Sequence, residues 1–345
     1  MRFEATEETL DGIETLCLRD AETGALSAIL PQLGGTVRRL VLPTRSSSVS
    51  QAPGQALTRV LEEDTPQEVS RNPGFRGRIL FPFNDRIPQG AYRFDGRDFR
   101  LRQNEPESES AIHGLIYDRR CKVSSVTADD RGARLTLSYH ITPDEFPGYP
   151  FAVQLRAHYR LSEHGFELRL EALNTGSVAA PVSLGWHPYV ATPNGVDAAF
   201  LRCPAGRFVE VDDQLLPTGA LPPVAGGALD FRNAEPIGRR ELDIALERRA
   251  GPNDPSAAVT TFVDRGCDVV ALRQSNPPFR FTQLFIPRSR SSLAVEPVTA
   301  ATNAFNRPEL GLARLQSGER LIGTVSVWTL ASSGRQPATG LRQDR

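Results

Sequence analysis

The stretch "FAVQLRAHYRLSEHGFELRLEALNTG", Phe151 to Gly176, decides the fold class. Phe151, Val153, Leu155, Ala157, Tyr159 and Leu161 alternate with Gln154, Arg156, His158 and Arg160. A period of two is that of a strand with one buried face, because successive side chains point to opposite sides of a sheet. Phe166, Leu168, Leu170 and Ala172 repeat the pattern against Glu167, Arg169 and Glu171. The intervening "SEHG" is short and ends in glycine, so the pair reads as an antiparallel hairpin.

Outward from this hairpin the same alternation returns in "ARLTLSYHI", "TTFVDRGCDVVALRQ", "RFTQLFIP" and "GTVSVWTL". The 27 prolines and 28 glycines punctuate the chain at turns, and few segments carry an amphipathic helical pattern. Strands spread over the whole length without a central linker predict an all-β protein, one large antiparallel β-sandwich over residues 1–331. The end "SSGRQPATGLRQDR", residues 332–345, lacks a hydrophobic pattern and reads as a flexible tail. Residues 44–74 are polar and read as a long loop, with a short helical turn expected at Ala56 to Glu63.

Forty basic and 41 acidic residues leave a net charge of −1, so no overall field selects nucleic acid or an anionic membrane. The partner expected is a small molecule. The acidic start "MRFEATEETLDG" is unlike a secretory signal, and no apolar run approaches membrane-spanning length, which points to the cytoplasm. Cys17, Cys121, Cys203 and Cys267 lie far apart with no C-x-x-C spacing, the pattern of reduced, packed thiols. Metal-ligand spacings, phosphate-binding glycine loops and the G-x-S-x-G elbow are absent from the sequence, so neither metal nor cofactor is expected.

Of five histidines, His164 falls in the turn, His158 on a polar strand face, and His140 at a strand end. His113 in "ESAIHGLIYD" and His187 in "LGWHPYV" each sit beside a Gly or Pro that breaks a strand, where a side chain can be aimed into a cleft. By composition alone each reads equally as a packed neighbour of aromatic residues. Glu296 in "LAVEPVTAATNAFN" is delivered by an apolar strand that Pro297 is expected to end or turn into an edge. Burial there would raise its pKa towards that of a general base, and a salt-bridged strand-end acid is the plainer reading. Arg86 in "LFPFNDRIPQGAYRF" offers a rigid fork of donors for hydroxyl oxygens, or a partner for Asp85 or Asp95.

Taken in order, "NDRIPQGAYRFDG", "IHGLIYD", "FPGYPFAVQLRAHYRL", "ALNTGSVAAPVSLGWHPYV", "ELDIAL", "FTQLFIP" and "VEPVTAATNAFN" resemble the aldose 1-epimerases, or galactose mutarotases, over about Gly34 to Leu330. The G-W-H-P-Y form is similar to the branch less like the well-studied galactose enzymes. The resemblance implies the large β-sandwich called the supersandwich, and a reaction in which α and β anomers of an aldose interconvert. It implies His187 as general acid and Glu296 as general base, with Arg86, His113, Asp243 and Gln283 on sugar oxygens. It implies neither metal nor cofactor. One departure stands at "NDRI": family members commonly have Asn directly before the Arg, and here that place is Asp85, with Asn84 one earlier.

The residue types suit that chemistry. A base takes the C1 hydroxyl proton while an acid protonates the ring oxygen, the ring opens to an aldehyde, and closure on the other face inverts the anomeric centre. Two alternatives remain at this level: a non-catalytic carbohydrate-binding or sugar-sensing protein on the same fold, and a glycoside-processing enzyme needing a second carboxylate, for which Asp243 is the candidate. A phosphorylated sugar is a further possibility, because Arg71, Arg76 and Arg78 precede Arg86.

Overall fold

The computed structural model describes residues 1–45, 56–248, 259–264 and 266–332. The deciding hairpin is present as Val153–Ser162 and Gly165–Asn174, in register from Val153 opposite Asn174 to Ser162 opposite Gly165. Leu155, Ala157, Tyr159 and Leu161 are buried on one face, and their cross-strand partners Phe166, Leu168, Leu170 and Ala172 share it. Paired apolar side chains on one face are the unit by which a sheet is stabilised.

The hairpin forms the middle of a nine-stranded antiparallel sheet. In spatial order its strands are Lys122–Asp129, Gly132–Ile141, the two hairpin strands, Arg320–Leu330, Val269–Gln274, Val259–Val263, Phe200–Arg202 and Glu235–Pro236. A second sheet runs Ala205–Phe208, Asp243–Arg248, Phe281–Phe285, Ser292–Val298, Gly185–Trp186 and Ile79–Leu80, with Tyr189–Ala191 also paired to Ser292–Val298. The first five strands, from Phe3–Leu10 to Leu57–Arg59, make a separate antiparallel sheet in sequence order. One contiguous apolar cluster joins these layers, from Phe3 and Leu40 through Tyr159 and Leu168 to Trp186 and Val295. The architecture is the all-β sandwich expected from the alternation.

Two local expectations are corrected. Residues 57–59 form an edge strand paired with Val41–Pro43 instead of a helical turn, because Leu57 to Arg59 extend the N-terminal sheet. The helix comes later, at Pro66–Arg71, where Thr65 and Glu68 form a capping box and Pro66 occupies the first turn. Pro297 likewise does not end its strand, which runs through it to Val298. Of the loop and tail expected at 44–74 and 332–345, residues 46–55 and 333–345 lie outside the described residues.

Gly77 ties the N-terminal sheet to the second sheet. Its carbonyl accepts from the Val37 N–H at 3.0 Å and from the fully buried Trp186 indole at 3.2 Å, and its N–H donates to the His187 carbonyl at 2.8 Å. Its φ is +69°, and a Cβ there would lie 2.0 Å from the Val37 carbonyl oxygen. Gly77→Ala is therefore expected to destabilise the protein by roughly 3 kcal/mol or more. Urea unfolding of the variant beside wild type measures this, and an unchanged midpoint would refute the packing described.

Candidate active site

Strand parity collects three of the polar residues. Gln283 stands directly opposite Glu296, and Ala245 opposite Gln283. Asp243 is two residues from Ala245, so Asp243, Gln283 and Glu296 emerge on one face of the second sheet. Gln283 Nε2 donates to Asp243 Oδ1 at 2.7 Å, which fixes both side chains.

Register brings His187 to the same face. Gly185 pairs with Val298 and Tyr189 with Ala294 in one register, which sets His187 across from Glu296. The His187 N–H faces the other neighbour and donates to the Arg78 carbonyl at 3.0 Å. The Val295 N–H donates to the Pro188 carbonyl at 3.0 Å, so by alternation the nitrogen of Pro297 faces the same side as that bond. The result sets His187 Nε2 3.5 Å from Glu296 Oε1, with both side chains almost wholly buried.

Stacking holds the imidazole plane. Tyr189 lies against His187 with ring centroids 5.1 Å apart and planes 6° from parallel, and His113 meets it edge-on at 4.8 Å. The Arg76 guanidinium sits 5.0 Å from the Tyr189 ring centre, anchored to buried Asp64 at 2.5 Å. His113 has a φ of +62°, and its Nδ1 lies 3.0 Å from the Asn84 carbonyl oxygen. A carbonyl only accepts, so Nδ1 carries the proton and Nε2 of the neutral ring is an acceptor.

Arg86 reaches the same cleft, but its main partner is neither Asp85 nor Asp95. Its Nε and Nη2 donate to Glu105 at 2.9 and 3.1 Å, while Nη1 lies 3.8 Å from Asp85 and 3.7 Å from Asp243. The departure at "NDRI" has a structural counterpart. The Asn84 amide is turned away to the Ala300 carbonyl at 2.6 Å, and the Asp85 carboxylate lines the cleft.

These side chains line a cleft, with Phe75, Tyr189 and Phe285 as aromatic walls. A concave site with aromatic walls and a few convergent polar groups is the form of a small-molecule site. All six residues singled out from the sequence, Arg86, His113, His187, Asp243, Gln283 and Glu296, border it. Sequence reasoning missed Glu105, Phe75 and Asp64, none of which has a motif of its own, and gave Arg76 and Tyr189 no part in holding His187. The arginines before Arg86 do not form an anion cluster. Arg78 is buried and spends its donors on Asn72, Thr36 and the carbonyls of Leu33, Tyr117 and Val69. Among the described residues no group of three or more His, Cys, Asp or Glu is arranged to hold a metal ion.

Burial sets the proton affinities. Desolvation, then the carboxylates of Asp85 and Asp243, holds Glu296 well above the usual carboxylate range. Desolvation, then His113, Arg76 and Arg86, holds His187 well below the usual imidazole value. Desolvation likewise raises Asp85 and Asp243. Each member of the His187–Glu296 pair thus resists charge alone, and a pair this close shares its protons.

Comparison with known proteins gives the family and the fold. The family model for aldose 1-epimerase matches residues 17–328. An uncharacterized Escherichia coli K12 protein, YihR, is 31% identical over 70% of this chain and 75% of its own. Human galactose mutarotase is 27% identical over 65% of this chain and 69% of its own. Among solved structures, a galactose mutarotase-like protein from Clostridium acetobutylicum superposes with a TM-score of 0.80 at 18% identity, covering 96% of this chain and 99% of that one. An aldose epimerase homologue from C. elegans gives 0.74 at 19% identity, covering 90% and 97%. At those identities the structural matches speak for the fold alone.

His113 provides a test of the cleft's dryness. Desolvation pushes its pKa down to about 4, so it stays neutral far below the usual 6.5. A ¹⁵N NMR titration is expected to show its ring protonating only as the pH falls towards 4. A midpoint near 6.5 would mean that water reaches the ring.

Proposed function

The chain belongs to the aldose 1-epimerase family, an isomerase class that interconverts the α and β anomers of an aldose, and we propose that His187 and Glu296 perform that interconversion here. The observation that carries the assignment is the 3.5 Å approach of His187 Nε2 to Glu296 Oε1 inside a cleft lined by hydroxyl-binding groups. The hydroxyl oxygen and ring oxygen of a pyranose share C1, so the two protons that must move lie close together. A donor and an acceptor 3.5 Å apart suit them.

Glu296 takes the proton of the C1 hydroxyl as His187 gives one to the ring oxygen, and the C1–O5 bond breaks to leave a free aldehyde. Rotation about C1–C2 presents the other carbonyl face. On closure the C5 hydroxyl attacks C1, His187 recovers its proton and Glu296 returns the other to the new C1 oxygen. The pair ends as it began, holding one proton, and no external acid or base is consumed. Neutral His113 accepts from a sugar hydroxyl through Nε2, Arg86 donates through Nη1, and Asp243 and Gln283 complete the hydroxyl contacts. An imidazole in place of a second carboxylate beside Glu296 supports anomer exchange over glycoside cleavage. The four free thiols are consistent with a reducing, cytoplasmic setting.

Freshly dissolved α-glucose and α-galactose, followed by NMR in a weakly catalysing buffer, test the reaction. Wild type is expected to speed equilibration, and Glu296→Gln to lower kcat by about 10²–10⁴-fold. A variant as fast as wild type would remove Glu296 from the mechanism.

Separating the pair tests the division of labour. In His187→Asn the residual rate depends on ionised Glu296, which is lost as pH falls through its raised pKa. That rate should therefore rise with pH, with a midpoint above 4.5. In Glu296→Gln the residual rate depends on protonated His187, which exists only below its lowered pKa. It should fall with pH, with a midpoint below 6.5. Like slopes in the two variants would contradict the assigned roles.

A further inference from the structure

We infer that Glu105 is a positioning residue for sugar binding, acting through Arg86; the inference rests on the cleft being the sugar site. Glu105 grips one edge of the Arg86 fork through its two donors, Nε and Nη2, in the bidentate geometry that fixes a guanidinium plane. Only Nη1 is left facing the cleft, and its nearest carboxylate oxygens, on Asp243 and Asp85, are 3.7 and 3.8 Å away, beyond hydrogen-bonding distance. The clamp thereby assigns the free donors of Arg86 to whatever enters the cleft.

The segment carrying Glu105 is built to stay in place. The Glu105 and Ser110 backbones exchange hydrogen bonds at 3.1 and 3.2 Å, and Ser110–Ala111 pairs with Ile87–Pro88, the residues that follow Arg86. The Ser108 hydroxyl donates to Glu105 Oε2. The adjacent Asn104 grips the backbone of Ile112, accepting from its N–H at 2.7 Å and donating to its carbonyl at 3.0 Å. One turn thus fixes Arg86 through Glu105 and the approach to His113 through Asn104.

A residue that only stabilised the fold would affect kcat and KM together with the melting temperature. A positioning residue for a ground-state contact should act on sugar affinity. Glu105→Gln, which sets an amide N–H₂ against the Arg86 donors, is expected to raise KM about tenfold and to change kcat less than about threefold. Glu105→Asp, one methylene short, should fall between Glu105→Gln and wild type. Asp98→Asn breaks the exposed Arg93–Asp98 pair and should match wild type.

The decisive measurement is a double-mutant cycle on Kd, by NMR titration with the aldose that wild type binds best among hexoses, pentoses and a hexose 6-phosphate. If Glu105 acts through Arg86, Glu105→Gln has no further effect in an Arg86→Gln background. Additive losses, or an unchanged KM in Glu105→Gln with a native melting temperature, would overturn the inference. Wild-type turnover tests the reaction separately, so binding that obeys the cycle without anomer exchange would sink the proposed reaction and leave the positioning role intact.

Discussion

The site depends on one cross-strand register. Gly185 opposite Val298 and Tyr189 opposite Ala294 keep a single register, which places His187 across from Glu296. The His187 backbone bonds go to the other side, to Arg78 and Gly77, so the residue is held between two neighbouring segments. Trp186 anchors the chain before His187 in the core, and Tyr189 after it stacks on the ring. Fold and chemistry meet in these few residues.

Electrostatics explains why the surroundings are arranged as they are. Carboxylates from Asp85, Glu105, Asp243 and Glu296 share the cleft with the single guanidinium of Arg86. Burial discourages the ionisation of Asp85, Asp243 and Glu296, whereas Glu105, despite its own burial, is held below the usual carboxylate range by hydrogen bonds from Arg86 and Ser108, and the imidazole of His187 is kept neutral by burial and its positive neighbours. Arg86 moderates the first effect and adds to the second. Groups kept near neutrality by their surroundings can pass a proton back and forth with little change in solvation, which suits a reaction whose two halves are each other's reverse.

Much of this was legible in the sequence. Period-two alternation fixed the hairpin at 151–176 and the strand class of the whole chain, because one buried face leaves an unambiguous pattern. All six site residues could be named because each stands in a recognisable motif, and the family resemblance gave them roles that their spacing could not. What stayed hidden was set by pairing across distant segments. Leu57 to Arg59 carry no strand signal of their own and became a strand only beside Val41–Pro43. Pro297 read as a terminator because it lacks a donor, yet the strand runs through it, paired through Thr282 on its other side. Glu105 was invisible since its meaning is its distance from Arg86, and Asp64 since its meaning is its contact with Arg76.

The polar groups of the cleft come from the segments around Arg86, Glu105, His113, His187, Asp243 and Glu296, which are scattered over most of the chain. Local pieces such as the central hairpin can form early, but none of them brings His187 to Glu296. Contacts between segments this distant are the slow part of folding, because loop entropy must be overcome before they reward the chain. The cleft is therefore a property of the completed fold, and no contiguous piece of chain around any one motif contains it.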